Sequence, residues 1–148
     1  METNGIEGPV ESFLRTLKPS RRGEMDRWIQ VLRTNFPRAS IRFFSGLNQE
    51  GRAVTLPTLG FGSYLHRFAN GTTEDLFQVG VRLTQKGISI HCLGLPKGCS
   101  LPDLFGPELG AQKITGYSIQ FDSCQSLNLD VFVAGLAHVY PELTGMAD

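Results

Sequence analysis

Arg67, Arg82 and His91 are the side chains of this chain best suited to hold an anion. Arginine presents a planar, forked set of donors, and histidine changes charge near neutral pH. All three fall within Gly60 to Leu93, which reads as three strand-like runs joined by two turns. Side chains alternate across a strand. On that pattern Ser63, Arg67, Gln78, Arg82 and His91 reach one face of a three-stranded meander, and Lys113 is placed near them. This set is the expected ligand site, for a small anion or an acidic protein surface. The plainer reading is the solvated polar face of a one-sided sheet.

The register rests on the turns. Asn70 to Asp75 lies between runs rich in aromatic and β-branched residues, a hairpin signal. A symmetrical loop there sets Phe68 opposite Phe77, His66 opposite Val79 and Tyr64 opposite Val81. The apolar face then carries Tyr64, His66, Phe68, Phe77, Val79, Val81 and Leu83. A two-residue turn at Lys86-Gly87 sets Val81 opposite Cys92, Leu83 opposite Ile90 and Arg82 facing His91.

Other chemistries find less to work with. Gly60-Phe61-Gly62 lacks the third glycine of a dinucleotide loop, and no G-K-[ST] follows, so these glycines read as bends or bulges. Cys92, Cys99 and Cys124 form no C-x-x-C pair of a zinc site. His91 and Cys92 are adjacent on a strand and point to opposite faces, so they cannot share a metal ion. His66 falls on the apolar face and reads as a hydrogen-bonded core histidine. No metal ligand set and no catalytic residue is assigned.

The elements that must position the site follow in order. Residues 1–8 read as disordered, and 9–144 as one α+β domain. A short helix begins at Pro9, with Val10, Phe13, Leu14 and Leu17 at helical spacing. Ser20 is suited to cap a second helix, with Met25, Trp28, Ile29, Leu32 and Phe36 on one face and Pro37 as its stop. Arg21, Arg22, Arg27 and Arg33 fall elsewhere on it and read as solvated. Ile41 to Phe44 is a strand, Gly46 to Gly51 a loop, and Arg52 to Leu59 extended. Beyond the meander, Gly94 to Ser100 is a loop and Leu101 to Leu109 holds about one helical turn. Thr115 to Asp122 alternates as a strand, with Tyr117, Ile119 and Phe121 on its apolar face. A last helix runs from about Leu127 to Tyr140. The fold class is α+β: one antiparallel sheet covered on its apolar face by N-terminal and C-terminal helices.

Composition narrows the function classes. The 148 residues are 41% hydrophobic and 19% charged, ordinary for a globular chain. Fourteen basic and fourteen acidic side chains cancel, whereas a nucleic-acid binder usually carries a basic excess. No apolar run approaches the roughly 20 residues that span a bilayer, and METNGIEGPVES does not read as a signal peptide. Three cysteines fit a reducing compartment. The expectation is a cytoplasmic protein without nucleic-acid or membrane partners.

Several short motifs in order carry a family resemblance. They are Leu59-Gly60-Phe61-Gly62-Ser63-Tyr64, Phe68-Ala69-Asn70-Gly71, Asp75-Leu76-Phe77, and Leu109-Gly110 with Lys113 and Gly116. Together they resemble the bacterial domain of unknown function 1801 family, whose fold is called YdhG-like. The likeness runs from about Val10 to Tyr140. Ala39 to Thr58 looks longer than the family's segment, and His66 and Phe68 stand where tyrosines are common. The resemblance implies the fold and carries no catalytic residues over. Some members are described as frataxin-like iron chaperones, which makes iron the one cofactor the resemblance suggests. Such a carrier is expected to cluster carboxylates. Here Glu74-Asp75 is the only acidic pair in the sheet region, and Asp103, Glu108, Asp122 and Asp130 are dispersed.

The leading expectation is a non-enzymatic binding domain for an anionic ligand or acidic partner. An intracellular iron chaperone and a small hydrolase or transferase are the alternatives. The sequence gives no oligomeric state.

Overall fold

A computed structural model describes residues 8–85, 87–123 and 126–144. The expected disordered segment 1–8 thus falls, except for Gly8, outside the described residues, as do Lys86 and Cys124. The fold is α+β. Helices α1 (Pro9–Arg15) and α2 (Pro19–Asn35) precede strands β1 (Ile41–Phe44), β2 (Thr58–Phe61), β3 (Tyr64–Arg67), β4 (Thr73–Leu76), β5 (Val79–Thr84) and β6 (Gly87–Cys92). The short helix α3 (Leu101–Leu104), strands β7 (Lys113–Ile114) and β8 (Ser118–Phe121), and helix α4 (Leu129–Val139) follow. No described helix is long and apolar enough to cross a membrane.

Local chemistry sets the helix ends. Pro9 and Pro19 open α1 and α2, where a fixed φ suits the first turn and the missing N–H is not needed. Pro19 also holds Lys18 extended, so Lys18 rather than the expected Ser20 is the cap of α2. Asn128 caps α4, its side chain accepting a hydrogen bond from the Val131 amide at 3.2 Å. The apolar stripes of α2 and α4 bury Met25, Trp28, Ile29, Leu32, Phe132 and Leu136 against the inner face of the sheet. That face carries Leu59, Phe61, Val79, Val81, Ile88, Ile90, Cys92, Ile119 and Phe121. The expected burial of Trp28, Val79, Val81, Ile90 and Cys92 is observed, and Leu83 is half-buried. Among the helix arginines, Arg21 is not merely solvated. Its guanidinium donates to Thr84 O and ties α2 to the end of β5.

The expected single sheet is two. Six strands run in the order β1-β2-β5-β6-β8-β7, each pair antiparallel, and β3 and β4 form a separate two-stranded sheet. These four hairpin strands nevertheless share one register. Leu59 lies opposite Val81 and Phe61 opposite Val79 in the base, and Tyr64 opposite Leu76 and Arg67 opposite Thr73 in the tip. The ladder breaks only at Gly62-Ser63 and Phe77-Gln78, where Gly62 takes φ +81°. A long hairpin therefore bends midway, and its tip leaves the sheet.

This corrects the expected pairing of Phe68 with Phe77. The loop is three residues, Ala69-Asn70-Gly71, closed by the Phe68 amide on Thr72 O at 2.8 Å. Gly71 supplies the left-handed residue such a loop requires (φ +91°), and Asn70 Oδ1 accepts from the Thr72 amide at 3.0 Å. The second turn is displaced as well. Thr84 pairs with Gly87 and Val81 with Ile90, so Gly87 belongs to the strand rather than to the expected Lys86-Gly87 turn. Gly87 is needed in the strand itself: a Cβ there would stand 2.4 Å from Phe121 O on β8. The shift is two residues, so every side chain keeps its expected face.

Two other segments depart from expectation. Only Thr58 and Leu59 of the 52–59 run enter β2. Residues 45–57 close on themselves through a Leu47–Ala53 bridge and the Val54 amide on Gly46 O at 2.7 Å. Thr115 to Ser118 is the turn joining β7 to β8, so Tyr117 leaves the apolar face and is 58% exposed.

Candidate functional site

The outer face of the sheet, opposite the helices, is built in two rows. One row across β1, β2, β5, β6, β8 and β7 holds Phe44, Thr58, Arg82, Ser89, Gln120 and Lys113, joined by strand pairing except between Thr58 and Arg82, which a side-chain hydrogen bond links. The next row gives Arg42, Gly60, Gly80, His91 and Ser118. The glycine pair leaves a bare patch of backbone, and Phe77 lies on it. Cβ atoms added at Gly60 and Gly80 would stand 2.7 Å and 2.3 Å from Phe77 atoms. Phe77 is thus on the outer face, not the inner one expected for it, with its ring edge-on to Phe44 at 5.2 Å.

A cavity of about 630 Å³ opens over this floor. Arg82, His91 and Thr58 lie beneath, with Phe44 and Phe77 beside them. One wall is the 45–57 loop, through Gly46, Leu47, Val54 and Thr55. A second wall is the bent hairpin, through Glu74 and Leu76, and Tyr117 closes a third side. Leu47, Val54 and Tyr117 are three of the six large apolar side chains exposed among the described residues, and the cavity accounts for them.

Arg82 is the charged centre. Its Nε donates to Thr58 Oγ1 at 2.7 Å, and the Thr58 hydroxyl donates onward to Leu56 O at 3.1 Å. Its Nη1 lies 3.3 Å from His91 Nε2, which Ser89 Oγ also approaches at 3.0 Å. Burial, and then the positive charge of Arg82, lower the His91 pKa to about 4. The imidazole is therefore neutral at pH 7, and because a guanidinium can only donate, Nε2 is the acceptor in its contact with Arg82. Half-burial lowers the Arg82 pKa too, but a guanidinium stays charged. Two edges of that guanidinium are fixed by neutral partners, and no described carboxylate pairs with it.

The hairpin wall is held by Arg42. Its guanidinium takes Asp75 at 3.0 Å and 3.3 Å, Leu76 O at 2.8 Å and Gly62 O at 3.1 Å, and lies 5.2 Å from the Phe44 ring centre. Ser63 Oγ donates to Asp75 Oδ1 at 2.5 Å. That bond first, and Arg42 second, hold the Asp75 carboxyl below the usual carboxylate range.

The expected site residues thus divide. Arg82 and His91 meet in the cavity, as diagonal rather than facing partners, because Arg82 pairs with Ser89 and His91 with Gly80. Lys113 shares the row of Arg82 but sits three strands away, roughly 14 Å at the usual inter-strand spacing. Ser63 and Gln78 brace the bend: Gln78 Oε1 accepts from the Ser63 amide at 3.3 Å, and Gln78 Nε2 donates to Glu142 at 2.6 Å. Arg67 stands on the tip sheet, and its neighbours on that strand alternate. Tyr64 and His66 share the face of Leu76 and Glu74, so Arg67 points the other way. His66 is accordingly no core histidine. It is half-buried between the rings of Tyr64 and Phe68, at 5.9 Å and 4.6 Å.

Sequence reasoning passed over Phe44, Thr58, Glu74, Phe77, Ser89 and Tyr117. One signal was present: two glycines, Gly60 and Gly80, at matching strand positions within aromatic sequence. Among the described residues no group of three or more His, Cys, Asp or Glu is placed to hold a metal ion. Cys92 is buried and its thiol pKa is pushed up to about 12 by burial. Comparison of the chain with protein-family models, curated proteins and solved structures finds no match.

Proposed function

We propose that this protein is a non-enzymatic, cytoplasmic binding domain whose outer-face cavity takes a small organic anion with an apolar body. One observation carries the reading. The half-buried Arg82 guanidinium is oriented by Thr58 and His91, has no carboxylate partner among the described residues, and lies under an apolar rim. A charge of that kind gains most from an anion that brings its own apolar surface. Gly62, Asn70-Gly71, Asp75 and Phe77, which belong to the motifs that carry the family resemblance, build the bent hairpin that walls the cavity.

The test is a calorimetric titration with 3-phenylpropionate. Arg82→Met keeps an apolar stem and removes the charge. It is expected to weaken binding about tenfold to a hundredfold, the worth of a charge-assisted hydrogen bond. Arg67→Ala should leave affinity unchanged. Binding that ignores Arg82→Met would place the anion elsewhere. A pH series with benzenesulfonate, which stays ionised, adds a second reading. A bound anion raises the His91 pKa, so binding takes up a proton once pH falls into the window above 4. Affinity should be flat from pH 8 down to about the ordinary histidine pKa. It should then tighten toward pH 4 and level off below it.

A further inference from the structure

The cavity holds a second unpaired charge. Glu74, on β4, lines the wall above Arg82, and its carboxylate has neither an ion pair nor a hydrogen bond with a described residue. Its strand neighbour Asp75 is fully engaged by Arg42 and Ser63, so the two adjacent acids have different roles. Alternation explains how. Asp75 turns to the bend, whereas Glu74 shares the cavity face with Leu76. The cavity that both charges line is otherwise walled mainly by apolar and aromatic side chains, among them Phe44, Leu76, Phe77 and Tyr117.

A simple carboxylate would satisfy Arg82 and be repelled by Glu74. A simple amine would do the reverse. A molecule carrying both charges on neighbouring atoms, with an apolar arm, answers every wall of the site. From this juxtaposition we infer that the ligand is a zwitterionic α-amino acid with an apolar or aromatic side chain. Its carboxylate lies on Arg82, its ammonium faces Glu74, and its side chain packs against Phe77 and Tyr117. This rests on the anion-binding reading of the same cavity and adds the cationic end of the ligand to it. No covalent step is involved.

The experiment compares three probes of one shape with the full chain: L-phenylalanine, 3-phenylpropionate without the ammonium, and phenethylamine without the carboxylate. L-Phenylalanine should bind about twofold to fivefold more tightly than 3-phenylpropionate, the range of a partly exposed ion pair. Glu74→Gln should abolish that preference and leave 3-phenylpropionate bound at least as well as before. The gain should fade with added salt, since Glu74 is exposed. Equal or weaker binding of L-phenylalanine to the native protein overturns the zwitterion while leaving the anion site standing. A preference for L-phenylalanine that survives Glu74→Gln also overturns it. If neither acid binds, the anion site itself fails and the zwitterion with it. Circular dichroism of Glu74→Gln guards against misfolding, and Glu74→Asp should keep part of the preference.

Discussion

Replacing Trp28 with alanine is expected to cost about 3–5 kcal/mol of folding stability, the usual range for a large buried aromatic. The indole is 0% exposed and joins the two layers of the fold. It lies 5.2 Å from Phe121 on β8 and 5.4 Å, edge-on, from Phe132 on α4. Its Nε1 donates to Glu24 Oε2 one helical turn earlier, at 3.1 Å, so the polar end is satisfied without leaving the core. Truncation would open a cavity bounded by a helix, a strand and a second helix, none free to collapse alone. Urea denaturation gives the measurement. A loss below about 1 kcal/mol would mean that the α2 stripe is not the centre of the core.

The second large effect is a coupling between Gly80 and Phe77. Gly80→Ala should cost about 1–3 kcal/mol, because the new methyl group would sit 2.3 Å from Phe77 Cε1 and 2.6 Å from Cζ. Phe77→Ala should cost about 3 kcal/mol, the low end for a buried aromatic, since one side of the ring borders the cavity. The double variant should cost less than the two single costs added together, because the methyl group meets no ring once Phe77 is gone. Thr58 Cγ2, at 2.8 Å from the same point, keeps the relief incomplete. A double-mutant cycle by denaturant titration reads the coupling directly. Strict additivity would remove Phe77 from the glycine patch and return it to the inner face.

That side of Phe77 is also where sequence reasoning stopped working. Period-two alternation identified the inner face correctly at Val79, Val81, Ile90 and Cys92, because each sits in an unbroken ladder with a buried partner. It failed at Phe77 because alternation assumes a continuous strand, and the ladder breaks at Phe77-Gln78. Nothing in a hydrophobic pattern marks a break that a distant glycine pair makes favourable. Tyr117 was lost for a similar reason. Its spacing continues the alternation of Ile119 and Phe121, but Thr115 Oγ1 captures the Ser118 amide at 3.0 Å and fixes a turn there. Of the site, Arg82 and His91 were legible because they lie within the intact β5–β6 pair. Glu74 was not, because its face depends on where a three-residue loop closes.

The bent hairpin also bears on how the chain reaches this fold. β2 and β5 are central neighbours in the six-stranded sheet yet far apart in sequence, and joining them directly would require closing a long loop. The shared register removes that search. Once Phe68 meets Thr72 across the small Ala69-Asn70-Gly71 loop, each further pair adds beside one already formed. The tip that leaves the sheet is therefore the zipper pull for the sheet's own middle. The slow step is expected instead at β6 with β8, whose partners are separated by the loops and short helices of residues 93–117. In pulse-labelled refolding, the amides of Phe68 and Gly71 should gain protection before that of Cys92, which waits for Tyr117 O. Simultaneous protection of all three would mean that the hairpin does not lead.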